Sequence, residues 1–136
     1  MGRNPCGKAF GRAAGVMNIF LLAIGGSCGA MARHSIGTLI LKREKPTFPF
    51  GTFFINIIGS LILGIVCGLK LDGNFYLLFG DGFCGAFTTF STFSLESVRL
   101  ICGHAHRKAA LYLALSAAFG VMLFAAGYRI ASMLRR

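Results

Sequence analysis

Residues 85–94 read GAFTTFSTFS and lie inside an apolar segment that runs from about Phe75 to Cys102. Five of these ten residues are Ser or Thr, three are Phe and none is charged. Hydroxyl groups at membrane depth are costly unless they line a polar cavity or satisfy the backbone of a broken helix. The stretch therefore predicts a non-helical break in a transmembrane helix, and such a break is typical of a binding or conduction site.

Apolar segments of membrane-spanning length recur along the chain, which has 136 residues and a mean hydropathy of +0.71. There are four of them, over residues 16–41, 48–69, 75–102 and 109–134. Each is long enough to cross a hydrocarbon core of about 30 Å. The connections between them are too short for a soluble domain. We therefore expect an all-α membrane protein with one four-helix transmembrane domain over residues 16–136, its third helix broken, after a basic N-terminal tail over residues 1–15.

The net charge of +10 is distributed in a way that favours a membrane protein over a nucleic-acid-binding one. The Lys and Arg residues collect at the ends of the apolar segments, where such residues meet lipid headgroups. With four spans both chain termini face the same side, which carries seven Lys or Arg residues against six on the other. An excess on one side normally fixes orientation. Two interpretations stay open: one local cluster fixes a single orientation, or copies insert both ways and pair antiparallel.

Glycines at four-residue spacing indicate close helix contacts in the first two segments. Gly25 and Gly29 form one such pair, and Gly64 and Gly68 form another. Small residues at this spacing let two helix backbones approach each other in a membrane. We expect these faces to supply a close interface between two copies of the chain. The five cysteines, by contrast, form no CxxC pair and no His/Cys ligand spacing, so we interpret them as small apolar side chains.

Two charged residues are expected inside the spans. Arg33 lies about two thirds along the first segment, and Glu96 is the only carboxylate that we expect within a span. A charge at such a depth is expensive unless it reaches water or a partner. Arg33 either snorkels to the interface or places a fixed positive charge at the mouth of an anion path. Glu96 either pairs with Arg99, three residues further on, or lines a polar vestibule.

Polar side chains repeat every four residues on two further segments, so that each set shares one helical face. The second segment carries Thr52, Asn56 and Ser60, and the fourth carries Tyr112 and Ser116. Hydrogen bonds between helices are one use of such a face, and donors that line a pore are the other. A position in the interfacial aromatic belt is a further alternative for Tyr112.

Phe90 and Phe93 differ from most of the 14 phenylalanines because hydroxyl groups surround them. A phenyl ring has a negative face and a positive edge. A small anion that has lost part of its water can rest against two ring edges with hydroxyl or amide donors beside it. The two rings are therefore candidate contacts for an anion.

Three motifs in the chain resemble, in the same order, those of the Fluc (CrcB-type) fluoride channels of bacteria. They read GGSCGAMAR over residues 25–33, GTFFINIIGS over residues 51–60 and GAFTTFSTFSLE over residues 85–96. The resemblance extends over about residues 18–134, with matching segment lengths. It is specific because it rests on three separate motifs.

The resemblance implies a passive, fluoride-selective channel, without enzymatic activity, that exports F⁻ from the cytoplasm through the bacterial plasma (inner) membrane. It implies an antiparallel, dual-topology homodimer with two pores, in contact with membrane lipid. It also implies a structural Na⁺ at the dimer interface, held by the backbone carbonyls of Gly85 and Thr88. Matched position by position, the implied pore residues are Thr52, Asn56, Phe90, Ser91, Phe93, Tyr112 and Ser116, with Arg33 and Glu96 near its ends. The polar track of the fourth segment usually continues with another Ser where this chain has Gly120.

Two other classes of membrane protein are less compatible with the sequence. A small four-helix, dual-topology multidrug or cation exporter is the transport alternative, but it needs an acidic residue in its first span, where this chain has Arg33 and no acid. A purely structural membrane protein does not need hydroxyl groups on the faces of three different helices. Catalysis is not expected, since no pairing of a nucleophile with a base is indicated.

Overall fold

The computed structural model describes the backbone of residues 5–41 and 48–135, and the side chains of residues 15–39 and 48–135. Within these ranges the secondary structure is helical and no strand is present. The elements are α1 (Pro5–Leu41), α2 (Phe50–Leu69), α3 (Gly73–Tyr76), a π-helical segment (Leu77–Cys84), α4 (Gly85–Phe87), α5 (Phe90–Cys102) and α6 (His106–Leu134). The prediction of an all-α fold is confirmed.

Three helical segments in the described part of the chain are long and apolar enough to cross a membrane. They are Gly15–Leu39 within α1, Phe50–Leu69 and His106–Leu134. The third predicted span is divided into a first arm (residues 73–87) and a second arm, α5. Helix α1 begins at Pro5, so the described part of the expected basic tail continues the same helix. The charged connection of residues 42–47 and the first four residues lie outside the described ranges.

The helix break that the hydroxyl-rich stretch predicts is present and lies at Thr88 and Thr89. Thr88 has φ −76° and ψ 156°, and Thr89 has φ −143° and ψ 113°, so both have extended backbones. Both are β-branched, which favours extended over helical backbone. The Thr89 hydroxyl caps α5 by accepting the Thr92 N–H at 3.3 Å. Thr89 therefore follows the end of the first arm and caps the start of α5 with its side chain.

The π-helical turns of Leu77–Cys84 pack against α1 at its glycines. A Cβ added at Gly25 would collide with the carbonyl of Leu78, and one added at Gly29 would collide with the carbonyl of Phe83. A Cβ at Gly82 would lie 3.1 Å from the Gly25 Cα, so the backbones touch here as well. The glycines of α1 therefore allow the first arm of the same chain to pack closely on this helix.

Helices α2 and α6 run parallel and form the other closely packed pair. Contacts advance in the same direction along both helices, from Phe53 beside Phe119 to Gly64 beside the Phe124 backbone and Gly68 beside the Tyr128 backbone. The expectation that the glycine faces of the first two segments form an interface between copies is therefore wrong for these glycines. They are already covered within one chain, because a backbone that packs on glycine leaves no room for a second partner.

Candidate functional site

An open pocket of about 510 Å³ lies beside the helix break; we call it the break pocket. Three parts of the chain line it: α2, the first arm, and the break with the start of α5. The lining residues are Asn56, Gly59, Ser60, Leu63, Tyr76, Gly80, Asp81, Cys84, Gly85, Thr88, Thr89 and Phe90. Four of the residues implied by the family resemblance, Asn56, Gly85, Thr88 and Phe90, thus meet at one cavity.

Asn56 makes two hydrogen bonds with the backbone of Thr89 across the pocket wall. The Thr89 N–H donates to Asn56 Oδ1 at 2.9 Å, and Asn56 Nδ2 donates to the Thr89 carbonyl at 3.2 Å. The Asn56 amide therefore forms hydrogen bonds with both the N–H and the carbonyl of Thr89, which the break leaves without helical partners. Ser60, one turn further along α2, donates instead to the Asn56 carbonyl of its own helix at 2.9 Å.

Thr89 also lines the break pocket and is not among the site residues that the sequence predicts. It is 7% exposed, and its hydroxyl donates to Thr92 Oγ1 at 3.0 Å and lies 3.3 Å from Ser91 Oγ. Ser91 itself is exposed. The available signal was a Thr immediately before a predicted helix with a further hydroxyl three residues on, which is the position of a helix N-cap.

A second group of polar side chains, the Glu96 cluster, consists of Glu96, Thr52 and Tyr112. Thr52 Oγ1 donates to Glu96 Oε1, and the Tyr112 hydroxyl donates to Glu96 Oε2, both at 2.9 Å. Tyr112 is fully buried in the chain, which excludes the alternative of an interfacial belt residue. No ion pair joins Glu96 to Arg99 in the described residues, so the hydroxyl groups, not Arg99, hold the carboxylate.

The two candidate phenylalanines link the break pocket to the Glu96 cluster. Phe90 lines the pocket, and its ring centroid lies 6.1 Å from that of Phe93. The Phe93 ring lies in turn 5.0 Å from the Tyr112 ring. Phe90 is 80% exposed in the single chain, whereas Phe93 is half-buried. The pair thus extends from an open surface to a buried hydroxyl.

Ser116 and Gly120 follow Tyr112 at four-residue spacing on the same face of α6. The Ser116 hydroxyl is buried and has no hydrogen-bond partner in the described part of the chain. An unpaired buried hydroxyl is costly, so this donor is available to a ligand or to water. A Cβ added at Gly120 would lie 3.5 Å from Ser60 Oγ, which is ordinary contact, so a side chain as small as Ser fits there.

Two further charged residues of the spans are Arg33 and Asp81. Arg33 is half-buried on α1 and does not line the break pocket. Asp81, in the π-helical segment, is a second carboxylate within the third span, so the expectation that Glu96 is the only one is wrong. Asp81 is exposed in the single chain and lines the break pocket one turn before Gly85.

Comparison with known proteins assigns a family to this arrangement. The model of the family described as CrcB-like protein, Camphor Resistance (CrcB), matches residues 20–128. The chain is 41% identical over 117 residues to "Fluoride-specific ion channel FluC 2" of Clostridium acetobutylicum, an alignment that covers 86% of this chain and 100% of the relative. It is 40% identical over 120 residues to "Fluoride-specific ion channel FluC 1" of Carboxydothermus hydrogenoformans, covering 88% and 98% respectively. It is also 45% identical over 113 residues to a "Fluoride-specific ion channel FluC 2" of Bacillus cereus, covering 81% and 92%. The chain therefore belongs to the CrcB family.

Proposed function

We propose that this protein is a passive, fluoride-selective ion channel that lets F⁻ leave the cytoplasm and so relieves fluoride toxicity. Its relatives of about the same length are named fluoride-specific ion channels. The structural observation that carries the proposal is the pair of Phe rings between two sets of polar groups, one at the break pocket and one around Tyr112. This arrangement suits ion passage.

The chemistry of these side chains favours a small, hard anion. Ring edges carry partial positive charge, and hydroxyl donors such as the unpaired Ser116 supply strong, short hydrogen bonds. Both attract a small anion more strongly than a large one, because a larger anion concentrates less charge at its surface. Chloride is therefore expected to pass poorly.

The Glu96 carboxylate competes with an anion for hydrogen-bond donors at the Tyr112 end of this path. Its two oxygens already accept the hydrogens of Thr52 and Tyr112. An anion that arrives at Tyr112 competes with an internal carboxylate for the same donors. Passage past the Glu96 cluster therefore requires the carboxylate to release a hydroxyl or to move.

A second copy of the chain, in antiparallel orientation, is the partner that completes the site. The break pocket is open, and Phe90 and Gly85 are exposed beside it. A Cβ added at Gly85 would meet nothing within 4 Å, so there is room for another backbone to approach. The nearly equal numbers of Lys and Arg on the two sides are compatible with insertion in both orientations. The rest of the apolar surface would contact lipid of the bacterial plasma membrane.

The residues at the break fit the structural Na⁺ that the family resemblance implies. No three His, Cys, Asp or Glu side chains converge on a metal position in the described ranges, so the ligands would have to be other oxygens. The end of the first arm leaves backbone carbonyls without helical donors, and Gly85 is exposed there. Carbonyl oxygens are hard ligands that suit a small cation. Gly85 and Thr88 would hold the ion, and its charge would join the two copies.

Growth of bacteria in fluoride tests the proposal in the cell. A strain that lacks its own fluoride exporter is complemented with this chain and challenged with sodium fluoride. We expect growth at fluoride concentrations that stop the uncomplemented strain, because HF that enters and dissociates no longer accumulates as F⁻. If the protein is present in the membrane in normal amounts and growth is not restored, the proposed function is wrong.

A further inference from the structure

Two side-chain oxygens accept hydrogen bonds from backbone N–H groups that would otherwise pair within a continuous helix of the third span. In an α-helix the N–H of residue i donates to the carbonyl of residue i−4. The Thr89 N–H would therefore donate to Gly85, but it donates to Asn56 Oδ1 at 2.9 Å. The Thr92 N–H would donate to Thr88, but it donates to Thr89 Oγ1 at 3.3 Å. Because these two N–H groups donate to side-chain oxygens, the carbonyls of Gly85 and Thr88 lose their helical donors.

Asn56 is suited to this task because an amide carries an acceptor and a donor side by side. Its Nδ2 also donates to the Thr89 carbonyl at 3.2 Å, so both backbone groups of Thr89 are paired with one side chain. Thr89 is buried, and buried backbone groups that lack a partner are rare in folded proteins. Without Asn56 the chain must either leave these groups unpaired or re-form the helical hydrogen bond to Gly85.

We propose that Asn56 is a positioning residue that holds the helix break open and thereby makes the Gly85 and Thr88 carbonyls available to a cation. The Thr89 hydroxyl is the second half of the same device. The identity of the cation rests on the proposed function, whereas the role of Asn56 at the break does not. At least one amide hydrogen of Asn56 is committed to Thr89, so a loss of fluoride flux in an Asn56 variant reports on the break as well as on the ion path.

Hydrogen–deuterium exchange of the purified full-length protein measures the break directly. Asn56→Leu removes both hydrogen bonds and keeps the branching and the number of heavy atoms of the side chain. Ser60→Ala is the matched control, since Ser60 lines the same pocket but bonds only its own helix. We expect exchange in peptides that contain Thr89 and Thr92 to change by about tenfold or more in Asn56→Leu, faster if the groups are left unpaired and slower if a continuous helix forms. We expect less than about a twofold change in Ser60→Ala.

Thermal stability in Na⁺, compared with a bulky organic cation, measures the link to the cation site. We expect the parent protein and Ser60→Ala to melt at higher temperature in Na⁺, and Asn56→Leu to lose this difference. Thr89→Val should reduce the difference in melting temperature between Na⁺ and the organic cation, and Thr89→Ser should retain it. These two variants test the same link if Asn56→Leu does not fold.

The possible failures can be told apart. Unchanged exchange in Asn56→Leu would overturn the positioning role. Changed exchange with the Na⁺ effect intact, or a parent protein without any Na⁺ effect, would overturn the link to the cation. If instead the parent protein shows both signatures but conducts no fluoride, the proposed function is wrong and the role of Asn56 stands.

Discussion

Phe93 is the residue at which the two polar parts of the site meet. Its ring lies 6.1 Å from that of the exposed Phe90 and 5.0 Å from that of the buried Tyr112. A packing residue at this place needs only bulk, whereas an anion contact needs the positive edge of a ring. Substitution by an aliphatic residue of similar size separates these two roles.

We expect Phe93→Ile to lower F⁻ flux by about tenfold or more while the protein still purifies and melts as the parent does. Flux from liposomes and the melting temperature are measured on the same preparation. Phe79→Ile is the control, since Phe79 is exposed on the first arm and contributes nothing to the break pocket. A Phe93→Ile protein that conducts at the parent rate would remove Phe93 from the ion path.

Tyr112→Phe tests the Glu96 cluster through stability. The substitution removes one of the two hydroxyl groups that solvate the carboxylate. We expect a loss of about 1–3 kcal/mol in the free energy of unfolding, because a partly buried acceptor loses its donor. Thermal unfolding in detergent is the measurement, with Tyr128→Phe as control, since Tyr128 is exposed. Equal stabilities of the two variants would mean that the Tyr112 hydrogen bond contributes nothing.

At the scale of elements, the fold consists of two closely packed units, α1 with the first arm and α2 with α6. Both are built on glycines whose missing side chains let backbones touch, and the break lies between the first arm and α5. The position of the break was predictable, because the hydroxyl-rich stretch has few other uses at membrane depth. The π-helical turns were not, since they depend on how Leu78 and Phe83 meet α1.

Sequence spacing also placed polar side chains on shared helix faces, but it did not predict their hydrogen-bond partners. The four-residue repeat placed Thr52 and Asn56 on one face, but it did not indicate that one would bond Glu96 and the other the backbone of Thr89. Those contacts join residues 44 and 33 positions apart, and they depend on the packing of α2 against the broken span. Glycine spacing likewise predicted close contact but not that the partner would be the same chain.

We expect Gly64→Ala to destabilise the protein by about 1–3 kcal/mol, because overpacking forces two helix backbones apart. The added Cβ would collide with the backbone carbonyl of Phe124 in α6. Gly73→Ala is the matched control, since nothing lies within 4 Å of the corresponding Cβ. Thermal unfolding compares the two. If Gly64→Ala is as stable as Gly73→Ala, the close packing of α2 on α6 is wrong.

At the scale of the whole molecule, a single chain leaves its candidate site open on one side. The break pocket is open, Phe90 is 80% exposed beside it, and the charges give no clear preference for one orientation. A second copy that approaches this face would cover Phe90 and bring its own Gly85 close. The glycine faces of α1 and α2 are not available for this contact, so the face that carries the break is the one that we expect at the dimer interface.

Tags at the C-terminus test the antiparallel arrangement. In intact cells and in inverted membrane vesicles we expect a membrane-impermeant reagent to reach about half of the tags each, because copies that insert both ways expose one C-terminus on each side. Tags that are reached from one side alone, in every molecule, would contradict the antiparallel dimer.

Flux from proteoliposomes tests the central claim, selective passage of fluoride, most directly. Vesicles that contain the purified protein are loaded with fluoride or chloride, and an ionophore for the counter-ion is added so that charge can flow. We expect F⁻ to leave rapidly down its gradient while Cl⁻ stays inside at nearly the level of protein-free vesicles. Fluoride loss no faster than from protein-free vesicles, or equal loss of chloride, would contradict the account.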